Sequence, residues 1–430
     1  MVLKIYAKKV FVVVLVLFFV GISFGADWPQ FLGPDRNGIS CETGLARSWG
    51  ADGPKVLWEK KLGAGYGSGA IEDGKVYILD RVDGKEDVLR CLDMVSGKEE
   101  WKFPYEADGK LSHSGSRAVP TVDDGKIYIV SPHGLMHCID AVSHEVVWKK
   151  DLFAEFEAKR PKWGLVNSPL IYKDMVIVAP QGVKAVVVAL KKATGDIVWK
   201  STEPVGKTTY ATPIVANICG VDQVLFNSAG NSKKGSAGKV VGISAADGKL
   251  LWMYRGWSCR IPIQYPEPVG DDMVYVSGAY GAGSVMLKIK KVGEKFEAEE
   301  VFQLPSKVWK GMIHQPIVHQ GHMYVDNNGK SSPKPGLMCM TLGGEIKWQT
   351  SEIEGSPKYD RGGMLMADGM IYVVDADGYL RLLEVNPKEC KELASVQLLS
   401  GDEIWAPLAI SDGKLLIRDQ EKMLCLDVSK

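Results

Sequence analysis

What most constrains this chain is a short phrase (an apolar run, a tight turn and a second apolar run) that recurs eight times. Its copies are SGAIEDGKVYI (Ser68–Ile78), VPTVDDGKIYI (Val119–Ile129), SPLIYKDMVIV (Ser168–Val178), TPIVANICGVDQVLF (Thr212–Phe226), EPVGDDMVYV (Glu267–Val276), QPIVHQGHMYV (Gln315–Val325), GMLMADGMIYV (Gly363–Val373) and APLAISDGKLLI (Ala406–Ile417). The aligned turns fall at Gly74, Gly125, Asp174, Asp272, Gly321, Gly369 and Gly413, a period of about 44–51 residues. A second phrase closes most copies: CLDMVSGKEEW (Cys91–Trp101), CIDAVSHEVVW (Cys138–Trp148), ALKKATGDIVW (Ala189–Trp199), GISAADGKLLW (Gly242–Trp252) and CMTLGGEIKW (Cys339–Trp348). Copies five and seven lack the tryptophan, with Phe302 and Val396 near its place.

Apolar runs split by Asp-Gly and Gly-Lys turns are strands joined by hairpins. Four short strands per copy make one propeller blade. A single blade cannot bury both its faces, so the copies must stack in a ring. A β-solenoid is the alternative architecture. The expected fold is therefore all-β: an eight-bladed β-propeller of four-stranded antiparallel blades. The last copy stops at CLDVSK (Cys425–Lys430), before its fourth strand, while VLWEKKL (Val56–Leu62) precedes the first copy as a spare strand with a tryptophan. Pairing the two closes the ring and removes a seam of unpaired backbone groups.

Composition agrees with a packed domain: hydrophobic residues are 46% and charged residues 24%. Formal net charge is 0. Residues 1–25 hold Lys4, Lys8 and Lys9 and no acid, so the remainder carries about −3. A surface of that balance does not attract phosphate backbones, and nucleic acid is not an expected partner. The same N-terminal residues read as an export signal: a basic start, the apolar run Val10–Ile22, and small Ser23 and Gly25 before Ala26. The run is short for a bilayer span, and an uncleaved anchor is the alternative. The first cysteine is Cys41, so no lipid-anchor cysteine follows the signal. The expected division is a signal peptide at 1–25, a leader at 26–55 and the propeller at 56–430, in a periplasmic or secreted protein without stable membrane insertion.

The closing phrase, with Asp, then Gly four residues on, then Trp eight residues on, resembles the tryptophan-docking motif of pyrroloquinoline-quinone (PQQ) type propellers. Asp93, Gly97 and Trp101 carry it in full; His144 replaces the glycine before Trp148; Gly195 and Trp199, Gly248 and Trp252, and Gly344 and Trp348 carry it without the Asp. The leader DWPQFLGPDRNGIS (Asp27–Ser40) is similar to the start of exported PQQ-like repeat proteins, so the resemblance covers residues 27–430. It implies that each Trp ring packs on the neighbouring blade's backbone while the Gly makes the turn between the outer strands. It also implies two functional branches. Quinoprotein dehydrogenases hold PQQ and Ca²⁺ on the axis and oxidise alcohols or sugars. BamB-type scaffolds bind other proteins and catalyse nothing.

The residues favour the second branch. Cys91, Cys138 and Cys425 share one repeat position and Cys339 nearly shares it, so they sit on different blades, too far apart to pair with one another. They read as small buried strand residues. A disulfide among Cys41, Cys219, Cys259 and Cys390 stays open. No two cysteines are adjacent, whereas alcohol-oxidising quinoproteins place adjacent cysteines against PQQ. There is no Cys-x-x-Cys, no His-Glu-x-x-His, no Gly-x-Ser-x-Gly and no helix to hold a nucleotide loop.

The candidate site follows from topology. Innermost strands line a propeller's axial channel, and the segments leading into them sit at its mouth. Those segments hold Tyr66, Arg117, Asn167, Tyr210, Gln264, Trp309, His314, Arg361 and Trp405, with His113, Trp163, Arg260 and Tyr359 beside them. Aromatic rings offer stacking surface and arginine a fork for carboxylates. The expected function is an exported, non-catalytic binding module for an envelope protein or other ligand. A PQQ- and Ca²⁺-dependent dehydrogenase is the alternative.

Overall fold

The computed structural model describes residues 27–430 apart from 83–84, 108, 110, 114, 232–233, 310, 328–334 and 402. The export-signal residues 1–25 lie outside this set. The described residues form eight four-stranded antiparallel sheets, one per repeat. Blade 1 is typical: Ala70–Glu72, Lys75–Val82, Glu86–Asp93 and Glu99–Glu106, each paired with the next. Blade 8 takes Ala409–Ser411, Lys414–Arg418 and Lys422–Asp427 from the C-terminal end and Lys55–Lys61 from the N-terminal end. Lys55 stands opposite Asp427 and Lys61 opposite Lys422, so the spare strand closes the ring as its sequence requires.

Every blade bears a bulge at one place, between its third and fourth strands. In blade 1 Cys91 pairs with Trp101 and Leu92 with Glu99, which leaves Glu100 as the extra residue. The same shift recurs after Cys138/Trp148, Ala189/Trp199, Gly242/Trp252, Met286/Phe302 and Cys339/Trp348. A bulge bends a strand and raises its twist. Here it turns the tryptophan out of its own blade toward the next. The residue opposite each Trp is Cys, Ala or Gly. That explains the repeated cysteines: a small apolar side chain is what fits beneath an indole. At Gly242 an added Cβ would run into Trp252. All eight cysteines are free thiols, and burial pushes the Cys91 thiol up to about 12.

Four of the six bulge tryptophans tie their blade to the next by a hydrogen bond, whereas Trp252 donates to Gln223 of its own blade (2.7 Å) and Trp101 Nε1 has no partner among the described residues. The indole N–H of Trp58 donates to Met94 O (2.9 Å), Trp148 to Lys192 O (2.8 Å), Trp199 to Ala245 O (3.0 Å) and Trp348 to Asn386 O (2.9 Å), each on the following blade. The rings then cover the turn glycines. A Cβ added to Gly97 would stand 2.6 Å from Trp58, and one at Gly195 would stand 2.8 Å from Trp148. Both glycines have positive φ, so shape and conformation demand the same residue. Phe302 takes the ring's place over Gly344. In blade 7 the register position goes to Ala394, and Val396, two residues on, meets Gly53 instead.

The leader belongs to this architecture. Trp28 forms a reciprocal backbone pair with Ile71 in blade 1, and Pro29 O accepts from Val122 N in blade 2. Gly38 O and Ser40 N pair with Met366 of blade 7, and Glu42 accepts from Gly413 N of blade 8. Between these contacts the buried Arg36 guanidinium donates to Ser168 O (3.2 Å) and Pro169 O (2.9 Å) of blade 3. Tyr265, just ahead of blade 5, donates to Arg36 O. The segment thus crosses the axis and adds hydrogen bonds to blades 1, 2, 3, 7 and 8. Among the described residues no helix is long and apolar enough to cross a membrane.

Candidate functional site

A cavity of about 250 Å³ lies on the axis. Its walls include Tyr66, His113, Arg117, Trp163, Tyr210, Tyr280, His314 and Trp405, and the leader's Phe31 and Leu32 close one side of it. The lead-in segments supply the walls because each ends where its innermost strand begins, at the channel mouth. Five of the nine sequence-derived candidates meet here: Tyr66, Arg117, Tyr210, His314 and Trp405.

The other four stand behind the wall with structural partners. Asn167 Nδ2 donates to Ala211 O (3.0 Å), and its Oδ1 accepts from Ala179 N (2.8 Å). Gln264 donates to His314 O. Trp309 is buried, with its indole N–H on Ser277 Oγ (2.8 Å). Arg361 pairs with Asp360 (3.0 Å) and carries its guanidinium 5.2 Å from the Trp405 ring. The spacing of the repeats locates the lead-in segments but not the direction of each side chain. Phe31 and Leu32 escape it for another reason: the leader follows no repeat, so no phase assigns them to the axis.

The aromatic groups form a continuous belt. Tyr66 stacks on Trp405 (5.4 Å between centroids, 30° between planes). His113 lies 6.2 Å from both Trp405 and Trp163, and Trp163 lies 4.8 Å from Tyr210. Arg117 caps Tyr66 at 4.5 Å and is fixed by Trp163 O (2.9 Å) and His113 O. Burial holds its guanidinium below the usual arginine range. Glu403 accepts from Tyr66 Oη (2.5 Å) and meets His113 Nδ1 (3.2 Å). Burial, then the Glu403 contact, pushes the Tyr66 phenol well up, so it remains a donor. His314 is held down to about 4 by burial, so its imidazole is neutral, and its Nε2–H donates to Arg361 O (3.1 Å). Two buried donors at this belt, Arg117 Nη1 and Trp405 Nε1, have no hydrogen-bond partner among the described residues.

Residues 84–349 match the protein-family model described as outer membrane protein assembly factor BamB. The chain belongs to that family. BamB of Yersinia pestis is 22% identical over 386 residues, covering 85% of this chain and 86% of BamB. The quinoprotein alcohol dehydrogenase PedH of Pseudomonas putida is 25% identical over 171 residues, which span 39% of this chain and 27% of PedH. Among solved structures, BamB from Moraxella catarrhalis superposes with a TM-score of 0.57 at 14% identity, covering 87% of this chain and all of that one. A quinohemoprotein alcohol dehydrogenase from Pseudomonas putida HK5 superposes with a TM-score of 0.63 at 13% identity, over 94% of this chain and 80% of that one. At such identities the superpositions establish the PQQ-type propeller fold and nothing finer.

The cavity does not fit PQQ with an axial Ca²⁺. Among the described residues none of its lining side chains is a carboxylate, and Glu403 is already engaged by Tyr66 and His113. No cysteine lines it either. What the lining offers a BamB-family chain is aromatic surface with two open donors.

Proposed function

We propose that the protein is an exported, non-catalytic scaffold that grips an envelope protein at the axial mouth. The belt receives an apolar or aromatic side chain of the partner. Arg117 Nη1 and Trp405 Nε1 donate to a carbonyl or carboxylate beside it. The observation that carries this reading is the pair of buried, unpartnered donors in an aromatic-lined cavity. Buried polar groups without partners are uncommon in a finished interior, and a bound acceptor removes the penalty. Burial of an aromatic anchor in a pocket is how binding energy concentrates at protein interfaces. The signal-like residues 1–25 and the match to BamB over most of both chains support an envelope setting.

The test is photo-crosslinking in producing cells from position 280, where Tyr280 is a cavity residue that remains exposed, with exposed Val142 on an outer turn as the control position. The expected result is a discrete envelope-protein adduct from position 280 only, abolished by Trp405→Ala. Adducts from Val142 alone, or a thermal shift on adding micromolar PQQ at constant Ca²⁺, would contradict it.

A further inference from the structure

At one buried position four of the eight blades carry a polar side chain (Asn227, Ser277, Asp326 and Arg418), where the other four have Leu79, Val130, Ala179 and Val374. That position lies on the second strand, two residues beyond the pairing of Tyr77 with Ala70 in blade 1 and of its equivalents elsewhere. Blade 4 places Asn227 there, and its Nδ2 donates to Gln264 O (3.0 Å) in the segment leading into blade 5. Blade 5 places Ser277, which accepts from Trp309 Nε1 (2.8 Å) and Gly311 N (3.1 Å) ahead of blade 6. Blade 8 places Arg418, which donates to Gly63 O (3.0 Å) and Gly67 O (3.1 Å) ahead of blade 1. Each of these three side chains is satisfied by the next blade's lead-in segment.

Blade 6 follows the placement and breaks the chemistry. Its residue is Asp326, 2% exposed, and the segment it faces carries Asp360 and Arg361. Among the described residues neither carboxylate oxygen of Asp326 has a hydrogen-bond partner, and Asp360 Oδ1, also buried, has none. Arg361 is committed to the other oxygen, Asp360 Oδ2 (3.0 Å). With both acids ionised, one guanidinium would leave an uncompensated negative charge beside a buried carboxyl, which is costly unless a proton or another cation joins it. The backbone here is also held in an unfavourable shape. Tyr359 and Arg361, flanking Asp360, have φ of 49° and 52°, and non-glycine residues stay in that region only where their surroundings over-determine it.

We propose that Asp326 and Asp360 together hold a hard divalent cation of the Ca²⁺ type. Unpartnered carboxylate oxygens are the ligands such ions take. The cation stands where blades 4, 5 and 8 use a hydrogen bond, and it pins the lead-in segment of blade 7. That segment carries Arg361 beneath Trp405, so the ion fixes one wall of the axial pocket from behind. Neither acid lines the pocket, so the ion is a structural tie and not an axial cofactor. The buried acid Glu267 is the contrast, because only one of its oxygens is both buried and unpartnered and no second described carboxyl faces it.

The experiment uses the full exported chain, stripped with chelator and titrated with CaCl₂. Melting temperature and aromatic-sensitised Tb³⁺ luminescence are followed for wild type, Asp326→Asn and Glu267→Gln. The expected result is a saturable Ca²⁺-dependent rise in melting temperature and Tb³⁺ emission that Ca²⁺ displaces. Glu267→Gln keeps both, and Asp326→Asn weakens them by roughly 100-fold or more, since even supporting groups around a metal are worth 10–100-fold. If stripped wild type responds neither to Ca²⁺ nor to Tb³⁺ at millimolar levels, the proposal is overturned, and the two carboxyls share a proton instead. The wild-type measurement decides this even if Asp326→Asn does not fold.

Discussion

The outer ring of the propeller and its axial mouth are built from the same eight repeats, yet they obey different rules. On the outside one solution recurs with local substitutions: a bulge in every blade, a Trp opposite a small residue in six of them, and a positive-φ glycine on the next blade beneath Trp58, Trp148 and Trp199. At the mouth no single residue type is copied round the ring: one equivalent position holds Tyr66 and Tyr210, Arg117 and Arg361, Ile263 and Ile313, and Trp405. Repetition marks where the physical demand is the same in every blade, namely stacking. Divergence marks where the demand is made once, by whatever the pocket holds. The contrast predicts that changes to the ring cost stability and spare binding, while changes at the mouth do the reverse.

Removing residues 55–61 should have the largest effect. It takes the fourth strand from blade 8 and exposes a strand edge along Lys422–Asp427. Loss of the cooperative melting transition in circular dichroism is expected, and retention of a native-like transition would refute closure by this strand. Gly195→Val comes next, because it combines a left-handed φ of 74° with a Cβ 2.8 Å from Trp148. A loss on the order of 4 kcal/mol in denaturant unfolding is expected from strain plus overpacking. His144→Gly should be nearly neutral, within about 1 kcal/mol. It relieves the left-handed backbone at φ 62° but loses the stack of His144 on Trp101, 4.3 Å between centroids. A large loss there would mean that blade 2 had replaced the shared device with a stronger one of its own.

The smallest effect is a pH-dependent one where the leader meets blade 1. Glu72 is pushed up to about 7, first by burial and then by the neighbouring acids Asp73, Asp27 and Asp123. Its folded form holds a proton that the unfolded chain releases near the ordinary carboxylate range. Stability must therefore fall as pH rises from about 4.5 to about 7. Glu72→Gln should raise the melting temperature at pH 8 and leave it unchanged at pH 4. An equal shift at both values would show that ionisation is not the cause.

The same contrast explains what was legible in the sequence. Blade count, strand order and ring closure could be read because turn glycines and tryptophans recur wherever the backbone needs them. The docking role of Trp58, Trp148, Trp199 and Trp348 followed from the same phrase. Within the mouth only the location of the segments could be read. Asn167, Gln264 and Trp309 turn to neighbouring backbone and side-chain groups, and rotamer direction leaves no trace in repeat spacing. Asp326 also went unseen, because a single polar residue in an apolar strand gives no hint of its lack of partners. The leader was legible as a segment of similar proteins, but its passage across the axis depends on contacts from Ile71 to Met366 that no local pattern encodes.

Binding belongs to the mouth in this reading and stability to the ring. The most direct measurement is a paired comparison of Trp405→Ala and Trp148→Ala, reading unfolding free energy together with the envelope-protein adduct formed from position 280. Trp148→Ala should lose about 3–5 kcal/mol, as buried Trp truncations do, and still form the adduct while folded. Trp405→Ala should lose roughly 1 kcal/mol, the worth of its aromatic contacts, and form no adduct. If Trp405→Ala keeps the adduct, or if both variants lose stability and adduct in proportion, the mouth is only another part of the scaffold and the assignment fails.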